Sequence, residues 1–239
     1  MEIIIFLRSL IFNILFYIWT FFICFFTLPV FFLNRKFDVK VWFLWINVTS
    51  KILKTVVNLD YQVKGLKTNT SNDIIYACQH QSAWDTIILP YLIGDCIIFH
   101  KKILSFIPLF GWHLLKLSMI IITRNKGANN LRRIINKTKK AISSHRSVLI
   151  FPHGTRTLPN STNKIQSGVV TLYKHLNIKV IPVKLNSGKY WGKNKFLKYP
   201  GKITVNFLDP IQPGMEPGEF RKKLEKILYK KLFLFFFFN

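Results

Sequence analysis

From residue 58 onward the chain alternates between short apolar runs and longer stretches whose apolar positions recur every three or four residues. The runs at 73–78, 96–99, 147–152, 178–183 and 203–207 predict buried strands. Between them, 128–144 predicts a helix with Leu131, Ile134, Ile135 and Ile142 on one face and Arg132, Arg133, Lys137 and Lys140 largely off it. A second helix is predicted over 218–231. Strands interleaved with helices imply an α/β layer fold with a mixed sheet in a single domain, its functional residues on loops just past strand ends.

The first 57 residues read differently. Arg8 and Arg35 enclose 26 residues without a charge, a length able to cross a hydrocarbon core of about 30 Å. The run is too long for a signal peptide and no small-residue cleavage site follows it. Arg35, Lys36 and Lys40 directly after it predict that everything beyond lies in the cytoplasm. Residues 39–57 place Val41, Leu44, Trp45, Val48, Ile52 and Val56 on one helical stripe, which suits an interfacial helix; a core helix is the alternative. The pair is thus either a spanning helix with an interfacial partner or a hairpin within one leaflet. The expected division is 1–57 as membrane-anchoring and interfacial helices and 58–239 as the α/β domain with a basic C-terminal helix. The apolar tail at 232–238 is too short to span.

Composition narrows the function classes. The chain of 239 residues carries 35 Lys and Arg against 10 Asp and Glu, yet half of it is apolar. A soluble nucleic-acid binder accounts for the charge alone, whereas a seat on an anionic lipid surface accounts for both, so no nucleic-acid partner is expected. No Asp or Glu occurs between Asp95 and Asp209, a span of 113 residues holding 21 Lys or Arg. Any catalytic carboxylate therefore lies outside it. Cys24, Cys78 and Cys96 form no C-x-x-C pair, so neither a metal site nor a disulfide is expected.

The loop after the first predicted strand reads Gln79-His80-Gln81-Ser82-Ala83-Trp84-Asp85. On one continuous helix His80 and Asp85 would sit about 140° apart and could not meet. They meet if His80 lies in a turn and Asp85 in the first turn of a helix capped by Ser82. Asp85 would then bond one imidazole nitrogen and leave the other as a general base. No serine-nucleophile motif accompanies the pair, so the implied reaction is direct transfer to a substrate hydroxyl. A capped surface histidine is the structural alternative.

Further blocks follow in order: Lys101-Lys-Ile-Leu-Ser-Phe-Ile-Pro-Leu-Phe-Gly-Trp112, Ile122-Thr-Arg124, Phe151-Pro-His-Gly-Thr-Arg-Thr157 and Val180-Ile-Pro-Val183. With the H-x4-D loop they resemble the motifs of the glycerolipid acyltransferases, most closely the bacterial 1-acylglycerol-3-phosphate acyltransferases, over about residues 75–185. The resemblance implies the acyltransferase layer fold, His80 as general base with Asp85 orienting it, and Arg124, Gly154, Thr155 and Arg156 around the acceptor phosphate. Glycine and threonine after a strand suit an anion, and an arginine can hold phosphate bidentately. Lys101 is a candidate for steering a phosphate or an acidic donor, with a solvated lysine as its alternative. The implied acceptor is lysophosphatidic acid and the donor acyl-CoA or acyl carrier protein, with no cofactor, at a membrane of the bacterial inner type.

Two positions depart from the family pattern. His153 stands where F-P-E-G-T-R has glutamate, and Ile103 where K-x-E-L has one. Histidine can donate to a phosphate directly, which makes His153 a candidate binding residue. Transfer to another lysophospholipid or to glycerol 3-phosphate remains a second reading, and a catalytically weak lipid-binding membrane protein a third.

Overall fold

The structure is a computed structural model that describes residues 2–65, 73–122, 128–159, 161 and 163–229. Arg124 and the tail at 232–238 lie outside the described residues. Helix α1 (Glu2–Phe26) begins well before the uncharged run and stops short of Pro29, which opens a 3-10 turn at Leu28–Phe32. Helix α2 (Arg35–Ile52) runs into a π turn at Leu53–Val57, closed by Asn58 in the left-handed region at φ 58°. Next come β1 (Leu59–Lys64), β2 (Ile75–Cys78), α3 (Ala83–Ile93) and β3 (Cys96–Lys101). A 3-10 turn (Lys102–Phe106), α4 (Phe110–Lys116), β4 (Ile120–Ile122), α5 (Ala128–Ile142) and β5 (Ser147–Ile150) follow. Helix α6 (Ser167–Leu176), β6 (Val180–Leu185), α7 (Ser187–Tyr190), β7 (Gly201–Phe207) and α8 (Pro217–Tyr229) complete the order.

The seven strands form one sheet in the order β1-β7-β6-β2-β5-β3-β4, parallel throughout except for β6 against β7. The mixed α/β layer fold expected from the pattern is present. All five predicted strands form, and two more, β1 and β4, occupy the edges. An edge strand such as β1 alternates Leu59, Tyr61, Val63 with Asp60, Gln62, Lys64 and shows no continuous apolar run.

Alternation along the strands divides the core. Ile74, Tyr76, Cys78, Ile98 and Leu149 face α1 to α4, whereas Ile75, Ala77, Ile97, Val148 and Ile150 face α5, α6 and α8. Both layers are thus anchored on one central sheet. On α2 the inward residues are Asp38, Trp42, Trp45, Ile46 and Thr49; of the expected stripe, Trp45 is buried and Leu44 is exposed. Hydropathy alone does not tell an apolar side chain packed on protein from one facing outward, and here two polar residues take inward positions. Leu131 on α5 is likewise exposed rather than part of the core face.

Helix α1 is fastened along one side. Phe12, Ile23 and Cys24 enter the core, and the Trp19 indole donates to the Trp45 carbonyl while Trp45 donates to Thr20. The Lys198 amide donates to Ser9 Oγ at 2.9 Å, and Lys198 Nζ donates to Asn13 Oδ1 at 2.6 Å among the rings of Phe12, Trp191 and Phe196. Burial pulls this ammonium down to about 8.

Candidate active site

The parallel strands bring their C-terminal ends to one edge of the sheet, where β2 leads into 79–82, β5 into 151–157 and β6 into 186–187. Ser82 is extended (φ −141°, ψ 161°) and caps α3, its Oγ accepting from the Trp84 amide at 3.1 Å. Asp85 reaches back from the third helical position, and its Oδ2 accepts from the Ser82 amide at 2.8 Å and the Gln81 amide at 2.7 Å. This is a capping box built with aspartate. The cap does more than start a helix. The same Oδ2 lies 3.0 Å from His80 Nδ1, and Oδ1 accepts from Ser187 Oγ at 2.5 Å.

Asp85 is fully buried with both oxygens engaged, so its orientation is over-determined. A carboxylate opposite Nδ1 places the ring proton there and leaves Nε2 with its lone pair. Nε2 has no hydrogen-bond partner among the described residues and is not among the atoms shut off from solvent. The imidazole stacks on Phe151 with centroids 4.0 Å apart and planes at 20°. The His80 backbone carbonyl accepts from the Thr157 amide at 2.7 Å and from Thr157 Oγ1 at 3.2 Å, which ties the 151–157 loop to the His80 turn.

In that loop Gly154 takes φ +66°, a conformation that favours glycine, and its amide donates back to the Phe151 carbonyl at 2.9 Å. Gly154 and Thr155 are exposed; Arg156 is half-buried with no ion-pair partner among the described residues. Lys101 is exposed at the end of β3, two strands from β2 and so about 10 Å across the sheet. His80, Asp85, Gly154, Thr155 and Arg156 thus gather at adjacent strand ends, with Lys101 further along the same edge.

His153 is turned the other way. It is 5% exposed, its Nε2 lies 3.0 Å from the Tyr229 hydroxyl of α8, and its Nδ1 is buried without a partner. Burial pushes its pKa below the usual value, with Glu225 opposing and His80 adding slightly to the shift. In this placement the imidazole meets α8 rather than the open side of the loop. Helix α8 also touches the His80 turn, since Gln79 Nε2 donates to the Leu228 carbonyl at 2.8 Å.

Two contributors escaped the sequence reading. Ser187 lies 102 positions from Asp85, and a serine after a strand carries no local signal for that contact. Tyr229 is one aromatic on an amphipathic helix, 76 positions from His153. Ser187 is fully buried and gives its proton to Asp85, not to His80, so it does not occupy the place of a nucleophile.

A family model described as Acyltransferase matches residues 56–186, which hold the His80 turn, the 151–157 loop and β6. The chain belongs to this acyltransferase family. It is 30% identical over 161 residues to a 1-acyl-sn-glycerol-3-phosphate acyltransferase of Pseudomonas aeruginosa, covering 67% of this chain and 63% of that relative. Proteins of the same name from Cocos nucifera (25% identical, 70% of this chain, 54% of theirs) and Saccharomyces cerevisiae (24%, 72% and 60%) are also similar. The chain therefore spans less than two thirds of the length of these relatives. In structure it resembles the 1-acyl-sn-glycerophosphate acyltransferase PlsC of Thermotoga maritima, with a TM-score of 0.75 at 23% identity over 94% of both chains. That likeness establishes the shared fold.

Proposed function

We propose that the protein transfers an acyl chain from an acyl thioester to the free sn-2 hydroxyl of 1-acylglycerol 3-phosphate, yielding phosphatidate. The observation that carries this reading is the buried Asp85 carboxylate holding His80 by Nδ1 with Nε2 left free. In the step itself Nε2 takes the hydroxyl proton as the oxygen attacks the thioester carbonyl. The carbon–sulfur bond then breaks, and the departing thiolate takes the proton back from the imidazolium. Gly154, Thr155 and Arg156 offer backbone, hydroxyl and guanidinium donors to the acceptor phosphate, Arg124 is the further arginine of that set, and Lys101 steers anions along the edge. The acceptor is taken from what the named relatives act on.

The site is read as lying at a membrane and facing the cytoplasm. Helix α1 is long and apolar enough to cross a bilayer. Its outward side exposes Ile4, Ile11, Ile18 and Phe22, while Ser9 and Asn13 on the other side hold Lys198. A crossing helix would carry that lysine and its loop into hydrocarbon, where each unmet polar group costs several kcal/mol, about the stability of a weak domain. Seating α1 in one leaflet, with Phe32, Phe106 and Trp112 also exposed, avoids this.

The test is an assay of the purified full-length protein with lysophosphatidate, other lysophospholipids and glycerol 3-phosphate, each with acyl-CoA and with acyl-acyl carrier protein. Phosphatidate formed from lysophosphatidate, and lost in His80→Ala, supports the reading. Acceptor binding without turnover would replace it with a lipid-binding protein, and preference for another acceptor would reassign the substrate.

A further inference from the structure

The central sheet confines most of the exposed apolar surface to one side. On the α1 to α4 side lie the exposed apolar residues of α1, the turn after it and the 103–115 segment. Across the sheet, α5, α6 and α8 expose a single large apolar side chain, Leu131. That layer is strongly basic. Helix α5 carries Arg132, Arg133, Lys137, Lys139 and Lys140 without one acid. Lys222, Lys223 and Lys226 extend the basic surface along α8, whose Glu225 is turned inward to the Ile165 amide and whose exposed Glu219 stands in the first turn. None of the ion pairs among the described residues uses α5, α6 or α8.

A flat bilayer cannot touch both sides of this sheet. Two helix diameters of about 10 Å each, with the sheet between them, separate the outer surfaces, against a Debye length of about 8 Å at physiological salt. Attraction by anionic headgroups fades within that length, so a membrane under α1 leaves the far layer unpaired. The overall excess of positive charge, which composition alone assigns to a lipid surface, is therefore partly directed at something else. A helix-long basic stripe, about 22 Å for the 15 residues of α5, matches an extended acidic surface better than a single compact anion.

We propose that the α5–α6–α8 layer is the docking face for an acidic soluble protein, the carrier-borne form of the acyl donor, while the lipid acceptor arrives from the opposite, apolar side. The proposal rests on the acyl-transfer reading above. The site suits two approaches because it sits at the sheet edge between the layers. His80 and Asp85 are on the α3 side, and His153 is bonded to α8 on the other. Helix α5 is the next element after β4, whose C-terminal end lies at the same edge.

The experiment compares wild type with Arg132→Glu/Lys137→Glu/Lys140→Glu and with the milder all-Gln triple variant, as full-length proteins in detergent micelles. Arg133 is left intact because it donates to the Ile121 carbonyl. Acyl transfer is measured with palmitoyl-acyl carrier protein and with palmitoyl-CoA, alongside direct binding of the carrier protein and sedimentation with vesicles containing anionic phosphatidylglycerol. Expected is about a tenfold rise in the carrier-protein KM and Kd on charge reversal, with a smaller rise for Gln and little change with palmitoyl-CoA. Sedimentation should stay unchanged. An unaltered carrier-protein KM and Kd would overturn the proposal. So would an equal rise for both donors, which would mark a site for the nucleotide phosphates, or release from the vesicles, which would mark a membrane face. If wild type transfers from neither donor, the acyl-transfer reading fails, and the carrier-protein binding arm still decides the docking face.

Discussion

Asp85 illustrates how one side chain serves fold and chemistry together. It caps α3 through two amides, orients His80 and accepts from Ser187, so substitution there changes several contacts at once. His80→Ala should lower turnover by roughly 10²- to 10⁴-fold while the melting temperature barely moves, because the ring is held rather than holding. Asp85→Asn should lose turnover similarly and also stability, since the amide puts a donor where one of the two accepting oxygens stood. Turnover and a thermal melt, read side by side on each variant, check both. Ser187→Ala leaves Oδ1 without its donor and should cost about 1–3 kcal/mol in a denaturant titration. A pH series tests His153. Its pKa, like that of His100, is held below the ordinary 6.5 by burial, so the unfolded chain binds more protons in that window. Stability should be complete above about pH 6.5 and fall as pH drops toward the depressed native values. In His153→Gln this acid loss should be smaller; an identical pH profile would show that His153 titrates normally.

Among the elements, α1 and α8 contribute more than their sequences declare. Helix α1 has the composition of a free anchor, yet it supplies Phe12, Ile23 and Cys24 to the core and docks on Lys198. Deleting residues 1–33 would uncover Trp42 and Trp45 as well as release the anchor. The truncated chain should melt well below wild type or aggregate in detergent, where a merely tethered anchor would leave the melt unchanged. Helix α8 ends against both halves of the site, through Leu228 to Gln79 and Tyr229 to His153. Tyr229→Phe should therefore raise the acceptor KM more than it lowers saturated turnover, because it loosens the loop that presents Gly154 and Arg156 without touching His80. A steady-state titration of the acceptor separates the two constants.

For the whole molecule, the α1 to α4 side of the sheet exposes most of the large apolar side chains and the α5, α6 and α8 side is strongly basic. The protein should pellet with membranes and remain there in 1 M salt, where screening acts over about 3 Å and electrostatic seating fails. Carbonate or salt extraction followed by sedimentation checks this, and quantitative release by salt would refute an embedded α1.

Much of the molecule is local in origin and could be read from the chain. Buried strands carry continuous apolar runs, the Ser82 cap and Asp85 lie three residues apart, and the glycine turn at 154 is set within four residues. Such features depend on neighbours in sequence, so the pairing of His80 with Asp85 was legible before any fold was known. Contacts between distant residues were not. Ser187 beneath Asp85, Tyr229 on His153 and Lys198 on α1 each join segments with no shared periodicity. Nor does composition reveal that the exposed apolar residues gather on the α1 to α4 side, because a sum over residues has no direction. The inward face of α2 was likewise settled by packing, which buried Asp38 and Thr49 and left Leu44 outside. Chain chemistry determined the strands, the cap and the His80–Asp85 pair; only the tertiary structure decided what lies behind that pair, since burial is a property of where neighbouring layers meet.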